Sequence, residues 1–338
     1  MKSVEELEQV LVAPSDELIQ DMARLSGDVM ILGAGGKMGP TLAVLARNAI
    51  TAAGKDFKVY AVSRFSDESV RRKLERHGIT VISADLLDER QLAALPEVEN
   101  VIYMVGYKFG STGNEHLLWA MNTYLPGRVA EHFRNSRIVS FSTGNIYHLS
   151  PVAWGGATES TPPQPYGEYA QSCLGRERIF DYFSRKYQMP VLHFRLNYAV
   201  DLRYGVLVDV AQSVFEGRPI DLSMGHVNVI WQGDANERAL RALLHCSTPP
   251  KVVNVTGPET VSIRWVAQVF GKNFGKEPIF INEESETALI SNASLSQQLF
   301  GYPRVTLGQM IDWVTEWIQN GLPLLGKPTH FQERQGRF

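Results

Sequence analysis

Short β-rich apolar runs alternate with amphipathic stretches from Asp28 to about residue 200. Val29–Leu32, Lys58–Ser63, Ile79–Ser83, Val101–Val105, Arg137–Phe141 and Val191–Leu196 read as buried strands. Between them, segments near 38–53, 67–77, 88–94, 115–134 and 168–188 carry apolar residues at helical spacing. Strict alternation predicts a parallel sheet with helices on both faces, and right-handed crossovers make it doubly wound. After residue 200 the pattern loosens. Helical periodicity at 206–216, 234–246, 262–271 and 306–320 is broken by short strands such as Val252–Val255 and Pro278–Ile281. This predicts a smaller mixed α/β cap with part of the chain returning to the sheet. Ahead of the first strand, Leu18, Ile19, Met22 and Leu25 follow the N-cap residue Ser15. They predict a helix packed on the outside of the body; a partner-binding arm is the alternative. The chain thus divides into a helical extension (1–26), a sheet domain (27–200), a cap (201–326) and an irregular tail (327–338).

Composition removes whole classes of function. The 338 residues carry 33 Lys+Arg against 36 Asp+Glu, a net charge of −3. A nucleic-acid or membrane-surface binder would show a basic excess. No apolar run reaches the ~18 residues of a membrane span, and MKSVEELEQV does not read as a signal peptide. Cys173 and Cys246 make no disulfide framework and fit a reducing, cytoplasmic compartment. The eight histidines show no metal-ligand spacing, so no metal is expected.

Chemistry enters with Gly33-Ala34-Gly35-Gly36-Lys37-Met38-Gly39, directly after the first strand and opening an Ala/Leu-rich helix. Glycines 33, 36 and 39 suit a tight turn, close approach to a pyrophosphate and tight helix–strand packing. Lys37 and Met38 complete the loop, and the helix N-terminus offers unpaired N–H groups to phosphates. A Walker A loop is excluded, because Met38 stands where Ser or Thr is needed. At the end of the second strand no acid is present to bind a ribose 2′-hydroxyl. Ser63 and Arg64 suit the 2′-phosphate of NADP instead, with NAD as the alternative. Asp85 and Leu86 end the third strand, where Asp85 can accept from an adenine amino group.

Two later segments, Ser142-Thr143-Gly144-Asn145-Ile146-Tyr147 and Tyr169-Ala170-Gln171-Ser172-Cys173-Leu174-Gly175-Arg176-Glu177, follow the glycine loop in order. Together the three resemble the extended short-chain dehydrogenase/reductases of the NAD(P)-dependent epimerase/dehydratase group, over nearly all of residues 27–320. The resemblance implies a Rossmann fold with a substrate-binding cap, a small-molecule substrate and a homodimer. It also implies site roles. Thr143 would hydrogen-bond the reacting oxygen, Tyr169 would be the acid/base, and Asn122 would support the site. A phenol held by a second hydroxyl can move the proton that accompanies hydride transfer.

One position departs from the family. The lysine four residues after the tyrosine is Cys173, and no lysine lies between Tyr166 and Arg185. A unit charge at about 4 Å and an effective dielectric of about 20 is worth about 4 kcal/mol, or roughly three pKa units. Three readings follow: another cation (Lys108, His148 or Arg195) serves; the scaffold runs different chemistry, with Cys173 incidental or reactive; or the protein binds a dinucleotide without turnover, as a sensor or interaction partner. Lys108, His148, Asn197 and Tyr198 are candidate substrate contacts, and residues 148–165 with Trp154 read as a loop over the pocket. Asn197 falls one place early for the sugar-nucleotide pattern, and 219–234 has no basic cluster. A small polyol, aldose, sugar acid or keto compound therefore fits at least as well as a nucleotide sugar.

Overall fold

The computed structural model describes residues 1–108, 110 and 112–336. Its centre is a seven-stranded sheet: β1 (Val29–Leu32), β2 (Val59–Ser63), β3 (Thr80–Ser83), β4 (Asn100–Tyr103), β5 (Arg137–Thr143), β6 (Val191–Leu196) and β7 (Lys251–Val255). All neighbours are parallel, in the order β7-β6-β5-β4-β1-β2-β3. This is the doubly wound fold that the alternation predicts. Strands covered on both faces read as continuous apolar runs. In β1, Val29 and Ile31 enter one core while Met30 and Leu32 enter the other.

The helices are α1 (Val4–Leu11), α2 (Asp16–Arg24), α3 (Gly39–Ala52), α4 (Glu68–Arg76), α5 (Glu89–Ala93), α6 (Glu115–Trp119), α7 (Leu125–His132) and α8 (Gly167–Tyr187), followed by α9 (Val206–Glu216), α10 (Gln232–Arg241), α11 (Ile263–Phe274), α12 (Ser294–Phe300) and α13 (Leu307–Gln319). Helices α2, α3, α4 and α10 bury apolar residues on one face of the sheet; α5, α7 and α8 do so on the other. The expected single helix at 115–134 is interrupted by a π turn, Ala120–Tyr124. A third core lies in the cap, around α9, α11 and α13. Strand β7 follows α9 and α10 in the chain and pairs with β6.

Both ends of the chain are built in. The extension forms two helices where the pattern predicts one. Leu18 and Met22 join the sheet core, while Leu7 and Leu11 join the cap core with Trp231. Ser15 caps α2, accepting from the Leu18 N–H at 3.0 Å and donating to Glu237 at 2.6 Å. The tail has no regular structure but is anchored. Thr329 Oγ1 donates to Asp209 at 2.6 Å, Phe331 is buried, and Arg334 donates to the Thr287 carbonyl at 2.8 Å.

Because Leu11 is fully packed, Leu11→Ala should cost about 2–5 kcal/mol. Urea denaturation of the two proteins checks this. An unchanged midpoint would mean that α1 lies outside the cooperative core.

Candidate functional site

The sheet order reverses at β1, and a groove opens at the carboxyl ends of β1 and β4, where open α/β sheets hold ligands. Its first part is a cavity of about 580 Å³ lined by Gly33, Gly36, Ser63, Arg64, Asp85 and Leu86 among others. The glycines are required by space. Gly33 has φ +89°, and a Cβ there would lie 2.9 Å from the Val105 nitrogen. A Cβ on Gly39 would lie 2.4 Å from the Ala34 carbonyl oxygen. Helix α3 starts with no side chain capping its first N–H groups, which leaves them for an anion. Arg64 is exposed at the rim. Asp67, which lines the same cavity, accepts from Ser69 N–H at 2.9 Å and Ser69 Oγ at 2.6 Å. Asp85 accepts from the Leu87 N–H at 3.0 Å, and Asp88 caps α5. The loop and cavity could hold a dinucleotide, with uncapped backbone donors at the start of α3 and with Asp85 and Arg64 in the same lining.

The second part, about 330 Å³, shares Gly33, Gly36 and Met104 with the first. It brings together Lys37, Met38, Lys108, Thr143, Tyr169, Asn197 and Tyr198. Thr143 ends β5 and accepts from Asn145 Nδ2 at 2.9 Å. Helix α8 puts Tyr169, Cys173 and Arg176 on one face by the i, i+4, i+7 rule. The alternative tyrosine, Tyr166, precedes the helix and is exposed. Burial, and then the nearby Cys173, push the Tyr169 phenol well above its ordinary range; Arg176 and a hydrogen bond with Thr143 oppose this. The phenol is therefore protonated at neutral pH. Burial also raises the Cys173 thiol, which packs with Ile146, Tyr147 and Ala157. Cys173 is thus a neutral core residue with Tyr169 as neighbour, not an activated nucleophile.

Two cations flank the tyrosine. Lys108 Nζ lies 5.2 Å from the centre of the Tyr169 ring, and burial lowers its pKa to about 8. The second, Arg176, is missed by a search confined to the family spacing. Its signal is the i, i+7 position on the face of α8 that carries Tyr169. Arg176 is buried; it donates to the Phe141 carbonyl at 2.7 Å and to Asn122 Oδ1 at 3.0 Å. Asn122 sits in the π turn, a frequent mark of a functional segment. It accepts from the Tyr107 N–H at 2.8 Å and donates to the Tyr107 carbonyl at 2.9 Å and to Ser172 Oγ at 3.0 Å.

Other expected contacts fall elsewhere. Arg195 is not the replacement cation, because it is bound through Nε and Nη2 to Glu177, at 2.9 and 2.6 Å, and to Tyr147 Oη at 2.6 Å. Hydrogen bonding from Arg195 holds the Glu177 carboxyl below its ordinary value although burial works against it. His148 is exposed against the Leu149 carbonyl and lines neither part of the groove. Residues 148–165 do not cover the groove either. Ser150–Pro151 pairs with Thr287–Ala288, and Trp154 is 78% exposed. Tyr204 and Thr329, not anticipated from sequence, complete the wall. Among the described residues no group of three or more His, Cys, Asp or Glu is arranged to hold a metal, and no helix is long and apolar enough to cross a membrane.

Comparison with known proteins adds the following. The NAD dependent epimerase/dehydratase family model matches residues 29–200, about half of the chain. No curated protein sequence matches. The UDP-glucose 4-epimerase of the hyperthermophilic eubacterium Thermotoga maritima, solved with UDP-glucose, superposes with a TM-score of 0.69 at 15% identity, covering 87% of this chain and 99% of that one. The Thermus thermophilus UDP-glucose 4-epimerase, solved with NAD, gives 0.70 at 19% identity, covering 86% and 99%. Pal from Bacillus thuringiensis gives 0.71 at 15% identity, covering 86% and 99%. At these identities the likeness speaks to fold.

Removing one partner of a buried ion pair leaves an uncompensated charge, so Glu177→Ala should destabilise by about 3–5 kcal/mol. Guanidinium denaturation measures it; a loss below about 1 kcal/mol, the worth of an exposed pair, would show that Arg195 finds water.

Proposed function

The chain belongs to the NAD dependent epimerase/dehydratase family of enzymes, and we propose that it transfers hydride between NADP(H) and a small sugar, sugar acid or related hydroxy/keto compound. The observation that carries this is one groove running from the glycine loop to Tyr169, Thr143 and Lys108, with Arg176 buried on the face of α8 that carries Tyr169. Bound there, the nicotinamide supplies or accepts the hydride. Gly33, Gly36, Gly39 and the start of α3 hold the phosphates, and Asp85 and Leu86 flank the adenine. Ser63 and Arg64 take the 2′-phosphate, since Asp67 is occupied by Ser69. Thr143 and Tyr169 hold the reacting oxygen.

A phenol kept protonated by burial is an acid before it is a base. That supports the carbonyl-reducing direction, in which Tyr169 Oη gives its proton to the substrate oxygen. Lys108 and Arg176 then face the phenolate that remains. They stand in for the charge that Cys173 does not provide. The rival reading, a dinucleotide sensor without turnover, rests on Cys173 in place of the family lysine, and Lys108 beside the Tyr169 ring weighs against it. We also propose a cytoplasmic homodimer. The free cysteines Cys173 and Cys246 support the compartment, and the exposed Leu117, Trp119, Tyr124 and Tyr182 on α6–α8 and the π turn support the assembly.

Two measurements test this reading. In fluorescence titrations Arg64→Ala should weaken NADP+ about 10- to 100-fold, the worth of a charge-assisted bond, and leave NAD+ nearly unchanged. Equal losses for both would remove Arg64 from the 2′-phosphate, and no binding by the wild type would remove the cofactor. Tyr169→Phe should lower turnover of accepted carbonyl substrates by about 10²- to 10⁴-fold at unchanged NADP+ affinity. Full activity in that variant would take the acid role from Tyr169.

A further inference from the structure

The second part of the groove has a one-sided charge. Lys37 and Lys108 line it from two different loops, and no carboxylate stands among its described lining residues. Lys37 does not fold back along its own loop. Its ammonium donates to the Ala199 carbonyl at 3.1 Å and lies 4.2 Å from the centre of the Tyr204 ring. Both partners are neutral, and burial lowers the pKa of Lys37 to about 8. The nearby acids have partners of their own: Arg203 binds Asp201 at 2.6 Å, and Thr329 donates to Asp209 at 2.6 Å. A cation withdrawn from water onto neutral partners is stabilised when an anion arrives.

The size is as restrictive as the charge. The space is about 330 Å³, at the lower end of the roughly 300–1,000 Å³ of small-molecule sites. On the reading above, the nicotinamide takes part of it. The tail closes one end, where Thr329 is fixed to Asp209 and Tyr198 Oη donates to the Phe331 carbonyl at 3.5 Å.

We propose that the substrate is a small carboxylic acid of sugar size, a sugar acid or hydroxy/keto acid, held through its carboxylate by Lys37 beside Tyr204 while its reacting oxygen meets Thr143 and Tyr169. This rests on the hydride-transfer reading and adds the substrate class. Lys37 belongs to the glycine loop in sequence, but its side chain faces the cap, so it serves the substrate instead of the dinucleotide.

The test is calorimetric titration of the full chain, saturated with NADP+, with glucuronate, gluconate, glucose and glucose 6-phosphate. An acid should bind at least about tenfold tighter than glucose, and Lys37→Gln should abolish that preference while Lys37→Arg keeps most of it. NADP+ affinity and the thermal midpoint of both variants should stay at wild-type values. Equal binding of acids and glucose overturns the proposal, and that comparison needs no variant. So does tighter binding of glucose 6-phosphate than of any carboxylate, or no binding of any of the four. A Lys37→Gln variant that loses NADP+ affinity but keeps the acid preference returns Lys37 to the dinucleotide. Failure of the wild type to bind NADP+ sinks the functional reading beneath, a different result from all of these.

Discussion

A guanidinium buried against neutral partners sets the terms for this site. Withdrawing Arg176 from water costs several kcal/mol unless its donors are met. Its two terminal nitrogens are met, Nη1 by the Phe141 carbonyl of β5 and Nη2 by the Asn122 amide oxygen, while Nε has no partner among the described residues. That choice orients the whole amide. With its oxygen turned to Arg176 and the Tyr107 N–H, the Asn122 nitrogen must face the Tyr107 carbonyl and Ser172, and every donor and acceptor of the side chain is used. The π turn sets Asn122 in place, and Gly106 gives room, since a Cβ there would lie 3.1 Å from Arg176 Nη2. The loop that follows is thereby held, and it carries Lys108 to the Tyr169 ring.

The consequence for chemistry is a redistribution of charge. A lysine one helical turn beyond the tyrosine would act from the same element. Here positive charge comes from two turns along α8 and from a separate loop, and the intervening position is a buried, uncharged thiol. Neutrality at Cys173 is consistent with its surroundings. Cys173 packs with Ile146, Tyr147 and Ala157, and a third cation beside Arg176 and Lys108 would raise repulsion in a low-dielectric site.

Fold and site were legible to different degrees, for physical reasons. Continuous apolar runs and period-3.6 apolar patterns report burial, so β1 and β6 could be read to the residue. The break in 115–134 could not, because a π turn keeps the apolar character of its helix. Helix α1 escaped because its buried positions, Leu7 and Leu11, span a single turn. At the site, residues fixed by local geometry were readable: Gly33 and Gly39 by the turn they allow, and Tyr169 and Thr143 by their place in linear motifs. Arg195 shows the limit. From sequence it is a cation near the motif; in space Glu177 and Tyr147 take its donors. Arg176 shows the converse, a residue whose importance depends on what α8 packs against. Tyr204 and Thr329 come from segments with no motif at all.

Both terminal segments tie the cap to the sheet beside the groove. Glu8 on α1 pairs with Lys73 on α4 at 2.5 Å and lies 3.5 Å from Arg203, next to Tyr204 in the cap. One carboxylate thus touches both the sheet unit and the segment under Lys37. At the other end Thr329 is fixed to α9, and Gly336 packs on Tyr166 and Gly167 where α8 begins. Each contact is modest alone, since partly exposed ion pairs contribute at most about 1 kcal/mol. The buried Leu7, Leu11 and Phe331 behind them give the ends their hold. A cap tied to the sheet at both ends forms its walls on folding, before any ligand arrives. Preorganisation of this kind lowers the entropy lost on binding. The same contacts oppose a swing of the cap away from the sheet.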